Sequence, residues 1–314
     1  MSRIHEALQR AYLERGKMSV SGDVDVAERA EVIPDLEERQ APSPKVHVAL
    51  EEVAQYPWNP SMLSLPTLAE RGAVVEQFRS LRSHVYQARY ETPLKTILIA
   101  SGMPGDGKSF VAANLAISLA RNSVQNILLI DADMRRPTIH KLLGTPNSKG
   151  LSDYLDGTAE LAEIMQRDKS RGDAATAGER NISNLTLIPS GKTSDNSSEL
   201  VANHRIEELI SMLTPQFDWI VIDAPPVLAV TDAVELARAA DAVLLVARAA
   251  RTPYEVAQKT KTAFGTSRIL GYVLNGVKEA PRTGSYNYSY DYYHQHEPEV
   301  VGQAKGRKDT GSQG

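Results

Sequence analysis

The chain has 314 residues, of which 42% are hydrophobic and 24% are charged, as expected for one large α/β domain with tails or for two small domains. Its net charge of −4 gives no overall attraction to nucleic acid, and the absence of cysteine excludes disulfides and thiolate metal sites. No apolar run reaches the roughly 18–20 residues of a membrane span, and residues 1–6 lack the apolar core of a signal peptide, so we expect a cytoplasmic protein that does not bind nucleic acid.

The first predicted elements are a short helix and a linker. Residues 1–16 place Ile4 and Leu8 on one helical face, which predicts an amphipathic helix too short to be stable without a partner surface. Residues 17–60 are acidic, contain five prolines and show no sustained period. This composition predicts a flexible, disordered linker.

The folded domain is predicted to span residues 61–280 and to open with a helix. Thr67 and Glu70 have the three-residue spacing of a capping box, with Thr67 as the N-cap. Apolar strand-like segments then alternate with helical ones, which indicates a mostly parallel central sheet with helices on both faces. The predicted strands are 95–100, 126–130, 184–188, 219–222, 242–246 and 269–274, and the predicted helices include 111–120, 198–212, 231–238 and 254–264. The polar stretch 168–181 is predicted to be a mobile loop.

A glycine-rich motif lies between the first of these strands and the helix that follows it. Residues 102–109 fit G-x-x-x-x-G-K-[ST], a pattern whose backbone N–H groups converge on phosphate oxygens. Lys108 is expected to reach the β- and γ-phosphates, and the Ser109 hydroxyl to ligate Mg²⁺. The residues predicted to bind the nucleotide here are Gly102, Gly105, Asp106, Gly107, Lys108, Ser109 and Phe110. The sequence therefore predicts a P-loop NTPase fold and a nucleoside triphosphate ligand.

Three acidic residues follow later strands. Asp131 and Asp133 come directly after the strand 126–130, and Asp223 follows the strand 219–222. Parallel sheets bind ligands beyond the carboxyl ends of their strands, so these carboxylates are expected near the phosphates and their metal ion. Asp223 has the Walker B position. Asp232 is expected to cap the next helix rather than to act in catalysis.

The order of these motifs resembles that of the bacterial tyrosine kinases of capsule and exopolysaccharide assembly, within the MinD/ParA-like P-loop ATPases. The resemblance runs from about residue 75 to residue 293. It implies a tyrosine kinase that uses ATP and Mg²⁺, with an additional Walker motif at Asp131, Asp133 and Arg135. The implied catalytic residues are Lys108, Asp131, Asp133, Arg135 and Asp223, and the implied metal ligands are Ser109, Asp131, Asp133 and Asp223.

Met103 distinguishes between branches of this class. In the MinD/ParA branch this position carries a second lysine that reaches into the partner subunit, whereas Met103 followed by Pro104 resembles the kinases. The absence of cysteine also excludes the iron–sulfur members of the class.

The kinase family's oligomerisation motif, Glu-x-x-Arg-x-x-Arg, matches Glu76, Arg79 and Arg82. On a helix these positions cover an arc of about 120°, so they can present one charged edge to a neighbouring subunit. The motif alone would also fit a solvated face of salt bridges. The resemblance implies a ring-like homo-oligomer.

The C-terminal segment 281–314 shows no core pattern and is predicted to be disordered. It holds a cluster of tyrosines that the ATP site on the same chain favours as phosphoacceptors, although such tails can also be adhesive. The predicted phosphoacceptors are Tyr286, Tyr288, Tyr290, Tyr292 and Tyr293. Each phosphate would add roughly −1.5 to −2 charge, so neighbouring tails in a ring would repel each other.

The resemblance implies transfer of the γ-phosphate of ATP to these tyrosines, mostly between subunits. A tyrosine hydroxyl has a reference pKa of about 10, so Asp131 or Asp133 is expected to accept its proton, and the spacing does not decide between them. Asn275, after a late strand, is predicted to contact adenine.

The partners follow from the resemblance alone. The chain lacks the transmembrane hairpin of family members fused to their activator, so we expect a separate membrane-embedded activator, or polysaccharide co-polymerase, that recruits it to the inner face of the membrane. A cognate tyrosine phosphatase is also implied. Two alternatives are a MinD/ParA-like positioning ATPase without kinase activity and a scaffold that binds ATP only structurally.

Overall fold

One large sheet organises the part of the chain that the structure, a computed structural model, describes. The chain divides into two units, residues 1–45 and 46–314, and every described residue belongs to the second. The described residues are 50, 52–121, 124–169, 182–193, 197–202 and 204–277. The predicted N-terminal helix, most of the predicted linker, nearly all of the loop 168–181 and the tyrosine cluster lie outside them.

Eight strands form this sheet in the order β1-β4-β5-β3-β6-β2-β7-β8. All neighbouring pairs are parallel except β4 and β5, which are antiparallel. The strands are β1 Ala54–Tyr56, β2 Thr96–Ser101, β3 Ile127–Asp131, β4 Gln166–Asp168, β5 Leu185–Ile188, β6 Trp219–Asp223, β7 Ala242–Arg248 and β8 Ile269–Asn275. The mostly parallel α/β architecture predicted from the sequence is confirmed.

Helices cover both faces of the sheet, because the central strands are apolar on both sides. Along β2, for example, Leu98 belongs to one buried cluster, and Ile97 and Ile99 belong to a second cluster on the opposite face. The α-helices are α1 Ala73–Glu91, α2 Lys108–Ala120, α3 Ile139–Leu143, α4 Leu151–Leu155, α5 Leu161–Ile164, α6 Ser197–Ala202, α7 Arg205–Leu213, α8 Asp232–Leu236 and α9 Tyr254–Ala263. None of the helices in the described ranges combines the length and the apolar character needed to span a membrane.

The start of the folded domain corrects two expectations. The linker was expected to reach residue 60, but β1 lies within that span and pairs with β4. Trp58 is buried, and its backbone N–H donates to Asp168 Oδ1 over 3.2 Å. The prolines flank this strand without interrupting it, and a strand of 3 residues is too short to show a period.

The predicted capping box is also wrong. Residues 66–68 form a short 3₁₀ helix, and α1 begins only at Ala73 after Gly72, without a side-chain cap. The Thr67 hydroxyl instead donates to Asn114 Oδ1 over 2.7 Å, so a buried partner from α2 takes the place of the predicted cap. The predicted helix 198–212 is divided into α6 and α7, and His204 has a φ of 57° just before α7.

Candidate functional site

The carboxyl ends of three adjacent strands define the site. β2 leads into the phosphate loop (residues 102–109), and β3 and β6 end in Asp131 and Asp223. In the sheet β6 lies between β3 and β2, and the two acids are partners in register. The phosphate loop and these carboxylates therefore lie at the same end of the sheet, where open parallel sheets bind ligands.

Two glycines give the phosphate loop its shape. Gly105 and Gly107 have φ angles of 83° and 97°, in the left-handed region that side chains disfavour. A Cβ on Gly107 would lie 2.0 Å from Asn275 Nδ2, so no larger residue fits there. Gly107 is also the N-cap residue directly before α2, so the backbone N–H groups of the first helical turn lie at the end of the loop.

Asp106 holds the loop together from inside. Its carboxylate accepts from the Met103 N–H over 3.1 Å and from the Thr252 hydroxyl over 2.7 Å. Its backbone carbonyl accepts from Asn275 Nδ2 over 2.9 Å. Asp106 is only 1% exposed, so its side chain supports the loop from within.

Lys108 reaches back into a group of three carboxylates, which we call the acid cluster: Asp131, Asp133 and Asp223. Its Nζ lies 2.7 Å from Asp133 Oδ2 and 3.9 Å from Asp223 Oδ1. Burial alone would lower the pKa of Lys108, but the charges of Asp223 and Asp133 outweigh that effect and raise it. The lysine is therefore held fully cationic beside the carboxylates.

Burial within the acid cluster raises the pKa of two of its members. Asp131 reaches a pKa of about 7, because of its burial and then the charge of Asp223. Asp223 reaches a pKa of about 6, because its burial outweighs the nearby Lys108 ammonium. Neither oxygen of Asp223 has a hydrogen bond of ordinary length and direction among the described residues, although Ser109 lies close enough to lower its pKa somewhat.

The carboxylate of Asp131 accepts hydrogen bonds from the backbone around it. It accepts from the N–H groups of Asp133 over 3.2 Å, and of Thr138 and Ile139 over 3.0 Å each. These bonds fix the turn after β3 and so place Asp133 beside Lys108. Asp133 also accepts from the Arg136 N–H at its other oxygen, over 3.0 Å.

Arg135 points to the next acid along the site. Its Nε lies 3.7 Å from Asp232 Oδ2, and the Asp232 side chain is buried. The expected capping role of Asp232 is not what the structure shows, because Thr231 precedes the helix and Asp232 is its first residue. Asp232 instead pairs with Arg135.

The residues present fit a magnesium ion bound with a nucleotide. Among the described residues no group of three or more His, Asp or Glu side chains forms a metal cage. Mg²⁺ bound to phosphates needs only one or two carboxylates, with waters and a hydroxyl completing the octahedron. The buried carboxylate of Asp223 beside Ser109, which has no hydrogen bond of ordinary geometry among the described residues, supplies such a partial set.

A cavity of about 370 Å³ opens beside the loop, and we call it the Asn275 cavity. Phe110 and Asn275, both predicted to bind nucleotide, line it together with Phe78 from α1 and Val277 beyond β8. The structure thus brings these two residues next to the phosphate loop, in a pocket of mixed aromatic and amide character.

Three further contacts to the loop were missed from the sequence. Arg248 Nη1 donates to the Gly105 carbonyl over 3.1 Å, and Arg251 lies against the position that a Cβ on Gly105 would take. Thr252, which binds Asp106, comes from the same turn. The signal was available, because this turn follows the carboxyl end of β7, directly beside β2.

The predicted oligomerisation motif lies on α1, and its arginines make contacts within the chain. Arg79 pairs with Glu76 over 2.5 Å and donates to the Glu70 carbonyl over 2.8 Å. Arg82 donates to the Ser118 carbonyl of α2 over 2.7 Å. The helical placement of the motif agrees with the expectation, and its role between subunits stays a prediction.

Comparisons with known proteins agree with this site. A family model described as an AAA domain matches residues 94–260. Tyrosine-protein kinase YwqD of Bacillus subtilis is 34% identical over 220 residues, which is 69% of this chain and 85% of that protein. The kinase domain of Escherichia coli tyrosine kinase ETK superposes with a TM-score of 0.61 at 32% identity, covering 77% of this chain and 89% of that one.

Some relatives are much longer. Tyrosine-protein kinase wzc of Salmonella typhimurium is 36% identical over 221 residues, which is 70% of this chain and only 29% of that protein. The residues matched by the family model, 94–260, include the phosphate loop and the strands that carry the acid cluster.

Proposed function

The chain belongs to the bacterial tyrosine-protein kinases, and from that membership we propose that it transfers the γ-phosphate of ATP to tyrosines of its own C-terminal tail. The observation that carries this proposal is the convergence of Lys108 with the acid cluster directly behind the phosphate loop. The phosphoacceptors are Tyr286, Tyr288, Tyr290, Tyr292 and Tyr293. Phosphoryl transfer depends mainly on positioning and charge neutralisation, and this arrangement supplies both.

The loop backbone from Gly105 to Ser109 binds the phosphates, and Ser109 with Asp223 would hold Mg²⁺. Bound Mg²⁺ neutralises charge on the phosphates during transfer. Asp223 suits this role because it is buried and its oxygens have no competing hydrogen bond of ordinary geometry among the described residues. Asp131 fixes the turn that carries Asp133, and Arg135, oriented by Asp232, faces the negative charge of the reacting groups.

Asp133 is the residue we assign to accept the tyrosine proton. All the bonds of Asp131 described here come from backbone N–H groups, so it is committed to the turn. Among the described residues, Lys108 alone donates a hydrogen bond to Asp133 Oδ2. When Lys108 turns to the phosphates, that oxygen becomes free to accept a proton at the site of transfer.

The Asn275 cavity is the proposed adenine site. Phe110 offers an aromatic ring and Asn275 an amide, which match the flat face and polar edge of a purine. Asn275 also holds the loop through Asp106, so adenine contact and loop shape depend on the same side chain.

Assembly and regulation follow from the family. We place transfer between subunits of a homo-oligomer, with Glu76, Arg79 and Arg82 at the subunit contact. A separate membrane-embedded activator, or polysaccharide co-polymerase, would recruit the chain to the inner face of the membrane in capsule or exopolysaccharide export, and a tyrosine phosphatase would reverse the modification. The names of the relatives favour this function over a positioning ATPase, as does Met103.

The test is an autophosphorylation assay. Purified chain incubated with ATP and Mg²⁺ is expected to gain phosphotyrosine in the tail, and Lys108→Met is expected to reduce this signal roughly 100-fold or more, because a charge contact made in the transition state is lost. Replacing the five tail tyrosines by phenylalanine should remove the tail signal while ATP binding persists. Unchanged labelling of Lys108→Met would show that the phosphotyrosine is not made at this phosphate loop.

A further inference from the structure

A second cavity, of about 440 Å³, lies against α1, beside the face of that helix that lines the Asn275 cavity. We call it the arginine cavity. Four arginines line it, and Glu70 is the one acidic side chain among the described residues of its lining. The arginines are Arg71, Arg79, Arg82 and Arg121. Arg79 is also paired with Glu76, so four arginines face two acids. This remaining excess of cations suits an anion, in a chain whose overall net charge is −4.

Two of the arginines are fixed in place by backbone carbonyls. Arg82 donates a hydrogen bond from Nη1 to the Ser118 carbonyl over 2.7 Å. Arg121 donates from Nη1 to the carbonyls of Thr67 and Ala69, also over 2.7 Å each. A guanidinium has five N–H donors, so each side chain keeps further donors for a ligand. The cations are therefore positioned before any anion arrives, which lowers the entropy lost on binding.

The electrostatics of the cavity match a phosphate group. Burial lowers the pKa of both Arg82 and Arg121, because their guanidinium groups are partly removed from water without a carboxylate bonded to them in the structure described here. Arginine binds phosphate through paired N–H donors, and a phosphate monoester carries about −1.5 to −2 charge at neutral pH. One such group offsets more of the excess charge than one carboxylate does.

The tail of the same chain can reach this cavity. Val277, the last described residue, lines the Asn275 cavity beside Val74 and Phe78 of α1. The first tyrosine of the cluster, Tyr286, lies nine residues further along the sequence. That length spans up to about 30 Å when extended, whereas a helix with its side chains is only about 10–12 Å wide.

We propose that the arginine cavity binds a phosphorylated tyrosine of the chain's own tail. This inference rests on the proposed function, which makes that phosphotyrosine. Arg79 and Arg82 belong both to this cavity and to the predicted oligomerisation motif. A tail phosphate bound there occupies the same two arginines, so autophosphorylation withdraws them from a neighbouring subunit.

The test measures binding of a labelled synthetic peptide, residues 284–294 with phosphotyrosine at position 288, by fluorescence anisotropy. The protein is the full chain with its five tail tyrosines changed to phenylalanine, saturated with ADP and Mg²⁺. We expect Arg71→Ala and Arg79→Ala each to weaken binding roughly tenfold or more, since each removes a hydrogen bond to a charged group. Arg238→Ala is the matched control, because Arg238 is an exposed arginine paired with Glu235 outside the cavity, and it should bind the peptide like the parent chain.

Three results would overturn the inference. The unphosphorylated peptide could bind equally well, inorganic phosphate could compete at the same concentration as the peptide, or Lys108→Met could abolish binding while Arg71→Ala leaves it intact. The last result would place the phosphotyrosine in the catalytic site as a product. Because the peptide is made synthetically, its binding is measured even if the autophosphorylation assay fails, so the two proposals fail separately.

Discussion

The acid cluster and the arginine cavity are two charged regions of one domain with opposite imbalances. The acid cluster sets three carboxylates against the single ammonium of Lys108, whereas the arginine cavity sets four guanidinium groups against Glu70 and against Glu76, which pairs with Arg79. The first region is almost fully buried at the end of the sheet, and the second is open to solvent beside α1.

The opposite imbalances indicate which charged ligand would neutralise each region. Burial of like charges is costly unless a counter-charge is supplied, so the acid cluster favours a metal ion and the arginine cavity favours an anion. Magnesium with a nucleotide would meet the first need, and the phosphorylated tail proposed above would meet the second. In the proposed reaction these ligands are the phosphate donor with its metal ion and the product.

Removing one charge from the acid cluster should have the strongest influence on activity. Asp223→Asn keeps the side-chain shape but removes the charge that would hold the metal ion, so phosphotyrosine formation should fall roughly 100-fold or more. Tail phosphorylation measured by mass spectrometry at saturating ATP and Mg²⁺ checks this. As a control, Asp241→Asn changes a carboxylate that bonds the backbone of residues 95 and 96, away from the phosphate loop, and should retain activity. Equal activity of the two variants would remove Asp223 from the mechanism.

The next effect is on stability, and its sign is opposite to the effect on activity. The pKa of Asp223 is raised to about 6 in the folded chain, so ionising it in the nucleotide-free and metal-free protein costs folding free energy, up to about 3 kcal/mol above pH 7. We expect Asp223→Asn to be more stable than the parent chain at pH 8, by chemical denaturation in the presence of EDTA.

The pH dependence of that difference gives the control. Because the folded pKa lies above the unfolded one, the parent chain gains stability relative to the variant as the pH falls from about 6 towards 4, and the difference should shrink over that range. The pKa of Asp131 is raised to about 7, partly by the charge of Asp223. Protonation of Asp131 as the pH falls therefore changes the stability of the parent chain in the same direction. A difference independent of pH would contradict the burial of an ionised carboxyl.

The smallest effect separates the arginines that support the fold from those that only line the cavity. Arg82→Met leaves the Ser118 carbonyl without its donor, so unfolding free energy should fall by about 1–2 kcal/mol. Arg71 is exposed, and Arg71→Met should change stability by less than about 0.5 kcal/mol. Urea denaturation measures both variants.

The same region also tests the subunit contact. Arg79→Ala combined with Arg82→Ala should lower the mass of the assembly by light scattering, because the predicted contact loses both its cations. An unchanged mass would show that these arginines act only within the chain and in the arginine cavity.

The centre of the fold was predictable because its signals are local. The strands around β2 are continuous apolar runs, and the phosphate loop, Asp131 and Asp223 follow them directly in the sequence. The peripheral strands β1 and β4 have 3 residues each, too few for a period. They pair with each other, and the buried Trp58 and Asp168 beside them bond across 110 positions of sequence.

The hydrogen-bond partners of individual side chains were not predictable, because they depend on packing between segments that are distant in the sequence. Thr67 and Glu70 have a local capping pattern, but Asn114 competes successfully for the Thr67 hydroxyl once α2 packs beside it. The arginine cavity likewise combines α1 with Arg121 at the end of α2, a proximity that only packing creates. Spacing identified the acids, and only the structure shows that Lys108 lies closest to Asp133.

The close approach of Gly107 and Asn275 has a mechanical consequence. The amide of Asn275 grips the phosphate loop at Asp106, and Asn275 is the last residue of β8, two positions before Val277. Any shift of the loop as a triphosphate enters or a diphosphate leaves is therefore passed to the point where the tail departs. Under the proposed function, occupancy of the nucleotide pocket is in this way linked to the end of β8, which precedes the segment proposed to receive the phosphate.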